Sequence, residues 1–550
     1  MPWIVSMHSD RYDIKVPKGT KKEDFSMKKR FVAAGMAAAM AVCMLPAAAF
    51  ADEKPTITFM LPDFNAGKNL QNEGSDQVIA DYEDYTGVHV EFKWADNGAY
   101  SEILGTTLLD FDNMPMILTA TGALSGTIVD AAKQGAFWDL TEYLQDSERF
   151  PNLSQASAAT LKGLTVDGQI IGVPRIRELG RNGISYRQDW ADKLGIDTPQ
   201  TVQDVYDMLY AFTYSDPDGN GKQDTYGMEM TKYTGPFDII QTWFGCGNGW
   251  VEQDGDLVPV HMTPEYKEAV DWIKKLYDDG LMRPDWATVD TSEWSNGCKK
   301  GTNGVYIDVM DGGRRIWDYF VKNEIPSVAD SSEYASMNLL GTINDKTLAT
   351  SGYNGYYLIT TDGAKTEEDV INCLTFLDKM CDHDMMVLAD YGLEGVSYDL
   401  NEDGKIVVRD DLEATQRPQL GLNQALAYIP GYGDNSPIEQ TDRDKAMNEC
   451  YVERTRPNAV SNPALAYLAG CETYAKYGTD LTNMLDDART QYICGTIDEA
   501  GLQAAWDDWY NRGGEDLINE VNELYHADQE TAVADENTTA AEEDTTVAAE

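Results

Sequence analysis

A loop of regularly spaced oxygen-bearing residues is the part of the sequence best suited to chemistry. Asp216, Asp218, Asn220 and Asp224 stand at positions 1, 3, 5 and 9 of this loop, and the carbonyl of Lys222 stands at position 7. Hard cations bind several oxygens at short range, and this spacing is typical of the first part of an EF-hand-like calcium loop. These five residues are therefore the predicted ligands of a calcium ion.

The rest of the loop favours a structural ion over a graded calcium sensor. Gly221 at position 6 permits the sharp bend that such a loop needs. Gly227 stands at position 12 in place of the usual bidentate Glu, so Thr225, water or a residue from elsewhere must complete the shell. The alternative is a solvated turn rich in Asp, Pro and Gly without any metal.

A second loop has a similar spacing but a different interpretation. Asp399, Asn401 and Asp403 again alternate, yet Val407 stands at position 9 and Asp410 at position 12. The run YDLNEDGKIVV instead predicts a β-hairpin in which Asp-Gly turns between two strands.

Composition limits the partners of the chain. Its 550 residues can form two or three domains, and 43 basic against 93 acidic residues give a net charge of -50. Nucleic acid and anionic membranes are poor partners because every phosphate contact would oppose this field. The 42% hydrophobic content, with 12 Trp and 30 Tyr, indicates a globular protein with many flat aromatic faces.

Residues 27–51 have the pattern of a secretory signal peptide. Three basic residues precede an apolar run that ends in Ala49-Phe50-Ala51. We expect cleavage after Ala51 and a secreted protein at the cell surface, with residues 1–26 a non-native extension. A lipid anchor on Cys43 is the alternative, although Val42 before it is bulkier than that processing usually tolerates.

The other end of the chain and the cysteines carry simpler predictions. Residues 528–550 are acidic, contain no basic residue and predict a disordered tail. Seven cysteines follow the predicted cleavage site without close CxxC spacing, so mostly buried free thiols are expected.

No sequence motif marks a catalytic site. GxSxG, HExxH and P-loop motifs are absent and the five His are scattered. With 93 acidic residues, a glycosidase-like pair of carboxylates stays open as an alternative.

Strands that alternate with helices predict the fold class. The strand TITFML is followed by a helix near Asp76–Thr86, the strand VHVEFKW, and further helices and strands in turn. Such alternation implies an α/β fold with parallel pairing, and ligands bind such sheets beyond the carboxyl ends of the strands.

Four segments together carry a resemblance to a known family. They are the hairpin LTVDGQIIGVP, the run YRQDWADKLG, the loop DPDGNGKQDTYG and the helix EYKEAV…LYDDGLMRPDW. In this order they resemble extracellular solute-binding protein family 1, in its LplA/LipO-like branch of ABC-transporter substrate-binding proteins, which is related to alginate-oligosaccharide binders. The resemblance covers residues 55–525.

The resemblance implies a periplasmic-binding-protein-like fold of two discontinuous α/β lobes with a ligand cleft and hinge crossovers. Residues 52–178 and 357–430 would form lobe 1, and residues 179–356 and 431–527 would form lobe 2. The protein would be a monomer that binds a solute and delivers it to membrane permease subunits. Its alginate-binding members also resemble the chain at the calcium loop.

Sugars stack on aromatic rings and pair their hydroxyls with planar polar groups, which directs attention to residues at predicted strand ends and crossovers. The candidate ligand contacts are Asp63, Asn65, Arg175, Arg177, Arg181, Trp243, Trp250, Asp308, Tyr353 and Tyr356. The acidic and amide members serve equally well as loop caps.

The three arginines bear on the nature of the solute. Three guanidinium groups within seven residues at a hinge could hold a carboxylate, in which case the ligand is a uronate; each is otherwise a surface residue. The predicted function is oligosaccharide binding for an ABC importer, with a secreted glycan-capture module or a polysaccharide-active enzyme as alternatives.

Overall fold

The computed structural model describes residues 54–409, 411–433 and 436–529. The predicted extension 1–26, the signal peptide 27–51 and Asp410 lie outside the described residues. Of the predicted tail only residues 528 and 529 are described, and both are helical.

Strands occur throughout the described chain. They are β1 (Thr56–Asp63), β2 (His89–Asp96), β3 (Ile117–Ala120), β4 (Thr165–Val166), β5 (Gln169–Ile170), β6 (Val173–Ile176), β7 (Asn182–Arg187), β8 (Tyr226–Met228), β9 (Trp250–Gln253), β10 (Asp256–Pro259), β11 (Asn303–Val309), β12 (Met337–Gly341), β13 (Thr347–Leu348), β14 (Tyr353–Ile359), β15 (Tyr398–Leu400), β16 (Ile406–Val408) and β17 (Ala459–Val460).

Helices separate most of these strands. They are α1 (Ser75–Thr86), α2 (Tyr100–Thr107), α3 (Gly126–Lys133), α4 (Thr141–Gln145), α5 (Ala158–Lys162), α6 (Gln188–Leu194), α7 (Val202–Tyr214), α8 (Gly235–Thr242), α9 (Pro264–Asp278), α10 (Asn296–Lys300), α11 (Met310–Lys322), α12 (Glu367–Lys379), α13 (His383–Tyr391), α14 (Asp442–Cys450), α15 (Leu465–Leu468), α16 (Glu472–Ile493) and α17 (Glu499–Trp509). Residues 515–529 are also helical.

The first sheet has the strand order β2-β1-β3-β14-β6. β1 is parallel to β2 and β3, whereas β14 is antiparallel to β3 and β6. Phe59 packs under helices α1 and α12, with its ring 5.1 Å from Tyr357 and 6.4 Å from Phe376. Met60 and Leu118 are buried on the opposite face. Burial on both faces explains why β1 is an almost continuous apolar run.

The second sheet has the order β12-β7-β11-β8. β11 is parallel to β8, and β7 is antiparallel to its two neighbours β11 and β12. Its core contains Trp190, Phe212 and Trp286, with the first two rings 5.4 Å apart and at right angles. α7 begins at Thr201, which forms a capping box with Asp204. The mixture of helices and two separate sheets is the predicted two-lobe α/β fold.

The smaller predictions are also confirmed. β4 pairs with β5, and β15 pairs with β16, so both expected hairpins are present. The seven cysteines of the described chain are free thiols and six of them are buried. Within the described ranges, no helix combines the length and apolar character needed to cross a bilayer.

The C-terminal helices contact both parts of the molecule. α14 packs on α11 and β12, and α16 packs on α9 and α17, all beside the second sheet. Lys162 belongs to α5, which follows β1, β2 and β3 along the chain. It contacts Tyr467 and Asp528. The C-terminal segment therefore spans the two sheets as well as covering the second.

Candidate functional site

Two links join the sheets and run side by side. The first link, residues 177–181, connects β6 to β7, and the second link, residues 342–352, connects β12 to β14. Backbone hydrogen bonds join Arg177 N to Gly352 O (2.9 Å) and Thr350 N to Leu179 O (2.8 Å). Paired extended links of this kind form a hinge at which two lobes can bend.

A third segment of the chain is attached to the same hinge. Arg456 donates two hydrogen bonds to the Glu178 carboxylate, at 3.0 and 2.6 Å. Gly180 packs so closely on this segment that a Cβ there would lie 2.4 Å from the backbone nitrogen of Arg456. Only glycine fits without moving the backbone, so the first link and residue 456 are held in register.

The edge of the second sheet nearest the hinge carries a pocket, which we call the sheet-edge pocket. Its volume is about 300 Å³. It is lined by Asn182, Tyr233, Thr234, Gly235, Asp238, Ile239, Asp308, Leu348 and Asp486. Asp308 lies at the carboxyl end of β11 and opposite Gly183 of β7, where an α/β sheet is expected to bind ligands.

Asp308 is the chemically most unusual group in the sheet-edge pocket. The residue is 8% exposed, and burial raises the pKa of its carboxyl group to about 6, although the Arg181 guanidinium opposes the shift. Tyr233 stands beside it, and burial together with the charge of Asp308 raises the pKa of the Tyr233 hydroxyl above its ordinary range. Both groups are suited to hydrogen bonds with uncharged hydroxyls near neutral pH.

A second pocket, the helical pocket, adjoins the first between α8 and α16. It has a volume of about 320 Å³ and shares Asp238, Leu348 and Asp486 with the sheet-edge pocket. Gln241 lines it, and the buried Oε1 atom of Gln241 has no hydrogen-bond partner within the described residues. A buried amide oxygen without a partner favours a ligand that donates a hydrogen bond.

Arg489 holds the two helices of the helical pocket together. Its guanidinium contacts Asp238 of α8 at 2.5 Å and Asp486 of its own helix at 2.8 Å. The Arg489 side chain is almost fully buried, so its positive charge needs opposite charges nearby. The carboxylates of Asp238 and Asp486 supply them.

Two tyrosines with their rings in contact lie on the side of the hinge that belongs to the first sheet. The rings of Tyr428 and Tyr432 are 4.5 Å apart, and the Arg177 guanidinium lies 5.4 Å from the Tyr428 ring. Tyr432 is 40% exposed. Asp390 accepts a hydrogen bond from the Tyr428 hydroxyl at 3.4 Å, and burial raises the pKa of Asp390 to about 6. We call this group the tyrosine shelf.

The three predicted arginines do not converge on one point. Arg175 is buried in the first lobe, where its Nε donates to the Leu426 carbonyl at 3.4 Å. Arg181 forms a two-point ion pair with Asp311, at 2.9 and 3.0 Å. Arg177 is the one of the three that has neither a buried position nor an ion pair within the described residues. The prediction of a three-arginine cluster is corrected to a single available guanidinium.

Asp63 and Asn65 form a loop cap. The Asp63 carboxylate accepts hydrogen bonds from the backbone of Asn65 (2.8 Å) and Gly67 (2.6 Å) and from the Asn69 amide (2.8 Å). Burial by itself raises the pKa of Asp63, but these hydrogen-bond donors hold that pKa below its ordinary value. The Asn65 amide in turn donates to Asn69 at 2.6 Å. The structure therefore contains the cap arrangement, and ligand contact by these two residues stays a prediction.

The aromatic candidates divide between core and pocket. Trp243 is 2% exposed and lies in the core of the second lobe, 6.5 Å from the Trp272 ring. Tyr353 and Tyr356 are 4% and 0% exposed, because both belong to β14 in the middle of the first sheet. These three positions correct the prediction of cleft aromatics. Trp250, also mostly buried, lines the helical pocket.

The predicted calcium loop brings its side chains together. The Asn220 amide donates to Asp218 at 2.7 Å and to Asp224 at 3.0 Å, and the Gly221 backbone donates to Asp216 at 3.1 Å. Burial and the nearby charges of Asp216 and Asp224 raise the pKa of Asp218. Gly221 has a φ of 76°, the left-handed conformation that glycine adopts at little cost.

The donors of this loop fit a hard cation. Asp216, Asp218 and Asp224 bring three negative charges close together, and a divalent ion among them would balance these charges. The hydroxyl of Thr225 donates to the Phe212 carbonyl at 2.8 Å, so its proton is already engaged there. When only His, Cys, Asp and Glu are considered, the described residues contain no group of three or more arranged to hold a metal. Any site here thus depends on Asn220 and carbonyl oxygens as well.

Several site residues were missed by sequence reasoning. They are Tyr233, Asp238, Gln241, Asp390, Tyr428 and Tyr432. Asp238 and Gln241 lie three residues apart on α8 and thus share a helical face, but nothing local distinguishes that face from a solvated one. Tyr428 and Tyr432 come long after β14 in the sequence, and only the folding of the chain brings them to the hinge.

Comparisons with known proteins agree with this architecture. A family model described as bacterial extracellular solute-binding protein matches residues 66–307. Lipoprotein LipO of Bacillus subtilis is 33% identical over 487 residues, which are 86% of this chain and 93% of LipO. The polygalacturonan/rhamnogalacturonan-binding protein YtcQ of the same species is 28% identical over 470 residues, 83% of this chain and 89% of YtcQ.

A solved structure shows the same fold. The ABC-transporter substrate-binding protein FusA of Streptococcus pneumoniae, as an EF-hand mutant in complex with fructo-nystose, superposes with a TM-score of 0.61. The match covers 86% of this chain and 100% of FusA at 20% identity. Two lobes joined by paired links, with pockets beside these links, define a ligand-binding protein. The chain belongs to the bacterial extracellular solute-binding protein family.

Proposed function

We propose that the protein binds an oligosaccharide in the cleft between its two lobes and delivers it to the permease of an ABC importer. YtcQ is named for binding polygalacturonan and rhamnogalacturonan, and the FusA structure contains fructo-nystose. The carrying observation is that aromatic and polar groups able to contact a sugar lie on both sides of the hinge. Tyr432 stands on one side, and Gln241 and Tyr233 stand on the other.

We further propose that the solute carries uronate groups. Arg177 supports this proposal, because its planar guanidinium is held over the Tyr428 ring and has no ion pair within the described part of the chain. A chain with a net charge of -50 repels an acidic glycan at long range, so a local cation is needed to bind it. A guanidinium can bind a carboxylate through two parallel hydrogen bonds.

The lobe boundaries are part of the same proposal. One lobe would contain residues 54–176 and 353–433, and the other would contain residues 182–341 with the helices from residue 442 onward. This division moves the second crossover to residues 342–352, a few residues before the position that the sequence favoured, because β14 pairs within the first sheet from Tyr353 on.

We also propose that the loop at Asp216–Asp224 binds a structural calcium ion and that the protein is secreted to the cell surface. The spacing of its donors and the raised pKa of Asp218 support the first point. The FusA structure is described as an EF-hand mutant, which supports a calcium loop in this fold. The signal-peptide pattern and the extracellular family support the second point.

Calorimetry with defined sugars tests the proposed function. Trigalacturonate and uncharged galactotriose are titrated into the protein in calcium-containing buffer, and the sugar is then recovered. Binding requires saturable heat with at least one of them and intact sugar afterwards. If the recovered sugar is shorter than the sugar added, the protein is an enzyme and the proposal is wrong. If neither sugar produces heat, galactose-based oligosaccharides are not its solutes.

The variant Arg177→Ala separates the uronate proposal from the general one. Loss of one charge-assisted contact is expected to weaken trigalacturonate binding about 10- to 100-fold while galactotriose binding stays unchanged. Arg283→Ala is the matched control, because Arg283 is also a half-exposed arginine but pairs with Asp285 outside the tyrosine shelf. Equal losses in both variants would indicate a change in the general field and contradict the role of Arg177.

A further inference from the structure

A third pocket lies on the second lobe, apart from the tyrosine shelf and the sheet-edge pocket. It is formed by the short turn Val260–Met262, the first turn of α9 and one side of α17, and its volume is about 370 Å³. We call it the α17 pocket. A volume of this size is within the range of about 300 to 1,000 Å³ that small-molecule sites have.

The floor of the α17 pocket contains a buried imidazole. His261 is 3% exposed and lines both this pocket and the helical pocket behind it. Within the described chain its ring nitrogens make no hydrogen bond, and its neighbours are the rings of Trp506 and Trp509 at 6.1 and 4.4 Å. Burial lowers the pKa of His261 to about 3, so the ring is neutral.

A neutral imidazole has one donor and one acceptor, and a molecule in the pocket can engage either. An alcohol hydroxyl can donate to the unprotonated ring nitrogen or accept from the N–H group. An anion could only accept, and the His261 ring has no charge to attract it. The pocket floor thus favours a ligand that carries hydroxyl groups.

The wall and rim complete the features of a sugar site. Trp506 is half-buried, lines the pocket, and is held by Tyr266 with ring centres 6.1 Å apart. Indole rings stack well on the C–H faces of sugars.

Charges at the mouth select against acidic sugars. Glu499 and Asp507 are negative, and the positive charge of Lys267 is already balanced by Asp271 at 2.7 Å and Glu499 at 3.5 Å. Lys267 thus differs from Arg177, which forms no ion pair within the described residues.

We propose that the α17 pocket is a second carbohydrate site, which takes one neutral pyranose unit through stacking on Trp506 and hydroxyl contacts with His261 and Asp507. It lies outside the tyrosine shelf and the sheet-edge pocket, and it shares His261 and Trp509 with the helical pocket. It would hold a glycan at the protein surface and raise the local concentration of solute near the cleft. This inference does not depend on what the cleft binds.

Fluorine NMR of the full protein labelled with 5-fluorotryptophan tests the inference. The Trp506 resonance is assigned from its loss in Trp506→Phe. Methyl α-D-galactopyranoside and methyl α-L-rhamnopyranoside are the probes, D-galacturonate is the charged comparison, and sorbitol is an open-chain polyol control. We expect at least one glycoside to shift the Trp506 resonance, with the shift reaching saturation below about 50 mM glycoside. A site that binds a single sugar unit is expected to be this weak.

Two neighbouring carboxylates on α17 make a matched pair of variants. Asp507 lines the pocket, whereas Asp508 is exposed and contacts Arg512. Asp507→Ala should weaken the glycoside at least about fivefold, and Asp508→Ala should leave its affinity unchanged.

A Trp506 resonance that does not move with either glycoside, or that moves equally with sorbitol, would overturn the proposal. The proposal would also be wrong if Asp507→Ala and Asp508→Ala lost the same affinity for the glycoside, or if galacturonate bound as well as the neutral sugars. Failure of trigalacturonate and galactotriose to bind the cleft would leave these shifts unaffected, so the two proposals fail separately.

Discussion

Glu229 is expected to make the stability of the protein fall as the pH rises towards neutrality. It follows β8, is 5% exposed, and accepts a hydrogen bond from the Cys298 backbone at 2.8 Å. Burial raises the pKa of its carboxyl group to about 7 from the ordinary 4.5, against the opposing effect of the Cys298 and Gly297 amides and of Arg283.

The sign follows from proton binding in the two states. Between pH 4.5 and 7 the folded protein holds the Glu229 proton while the unfolded chain releases it, so a rising pH favours unfolding. At about 1.4 kcal/mol per pH unit, the full loss is about 3 kcal/mol and is complete above pH 7. Below pH 4.5 the carboxyl group is neutral in both states and this cost disappears.

The variant Glu229→Gln replaces the acid with a neutral group of the same shape. Urea denaturation at pH 4.5, 6 and 8 should show the free energy of unfolding of the variant rising relative to the natural protein by up to about 3 kcal/mol. Glu268→Gln, at an exposed position of α9, reports the general effect of removing one negative charge. A difference between Glu229→Gln and the natural protein that stays constant from pH 4.5 to 8 would refute the reasoning.

Two further predictions concern the core and the calcium loop. Trp243→Ala should lower the free energy of unfolding by about 3 to 5 kcal/mol, because a large ring is removed from a closed core, and denaturation curves measure this loss. A stable Trp243→Ala variant that had lost only sugar binding would contradict its burial. Asp218→Ala should abolish the rise in melting temperature that calcium produces in the natural protein, as measured by thermal denaturation with and without EDTA. A variant still stabilised by calcium would rule out Asp218 as a ligand.

Much of the fold could be predicted because local patterns and final structure agree. The helix expected over Asp76–Thr86 is present as Ser75–Thr86, and α7 begins at Thr201, a residue type that favours the cap position. Apolar runs such as TITFML became strands buried on both faces. These elements depend on short-range periodicity, capping and turn residues, which the sequence contains in full.

The candidate site was harder, because burial decides which polar and aromatic residues can reach a ligand. Trp243 stands beside the flexible-looking run FGCGNGW, yet its ring is enclosed by the second core. Arg175, Arg177 and Arg181 are close in sequence but extend to different places, because the chain leaves one sheet and enters the other between them. Arg175 belongs to β6 of the first sheet, whereas Arg181 lies at the other end of the link and pairs with Asp311 of α11. Only Arg177 stays available, while Arg175 is buried and Arg181 pairs with Asp311.

The sequence by itself determined the class of fold, the family resemblance and the spacing of the calcium loop, because each is written in residues that are near neighbours along the chain. The tertiary structure alone decided which groups border the hinge. The tyrosine shelf and the sheet-edge pocket come from segments about 200 residues apart, Tyr233 and Tyr432 among them. Such contacts depend on how two sheets pack and where the links cross, which no local pattern specifies.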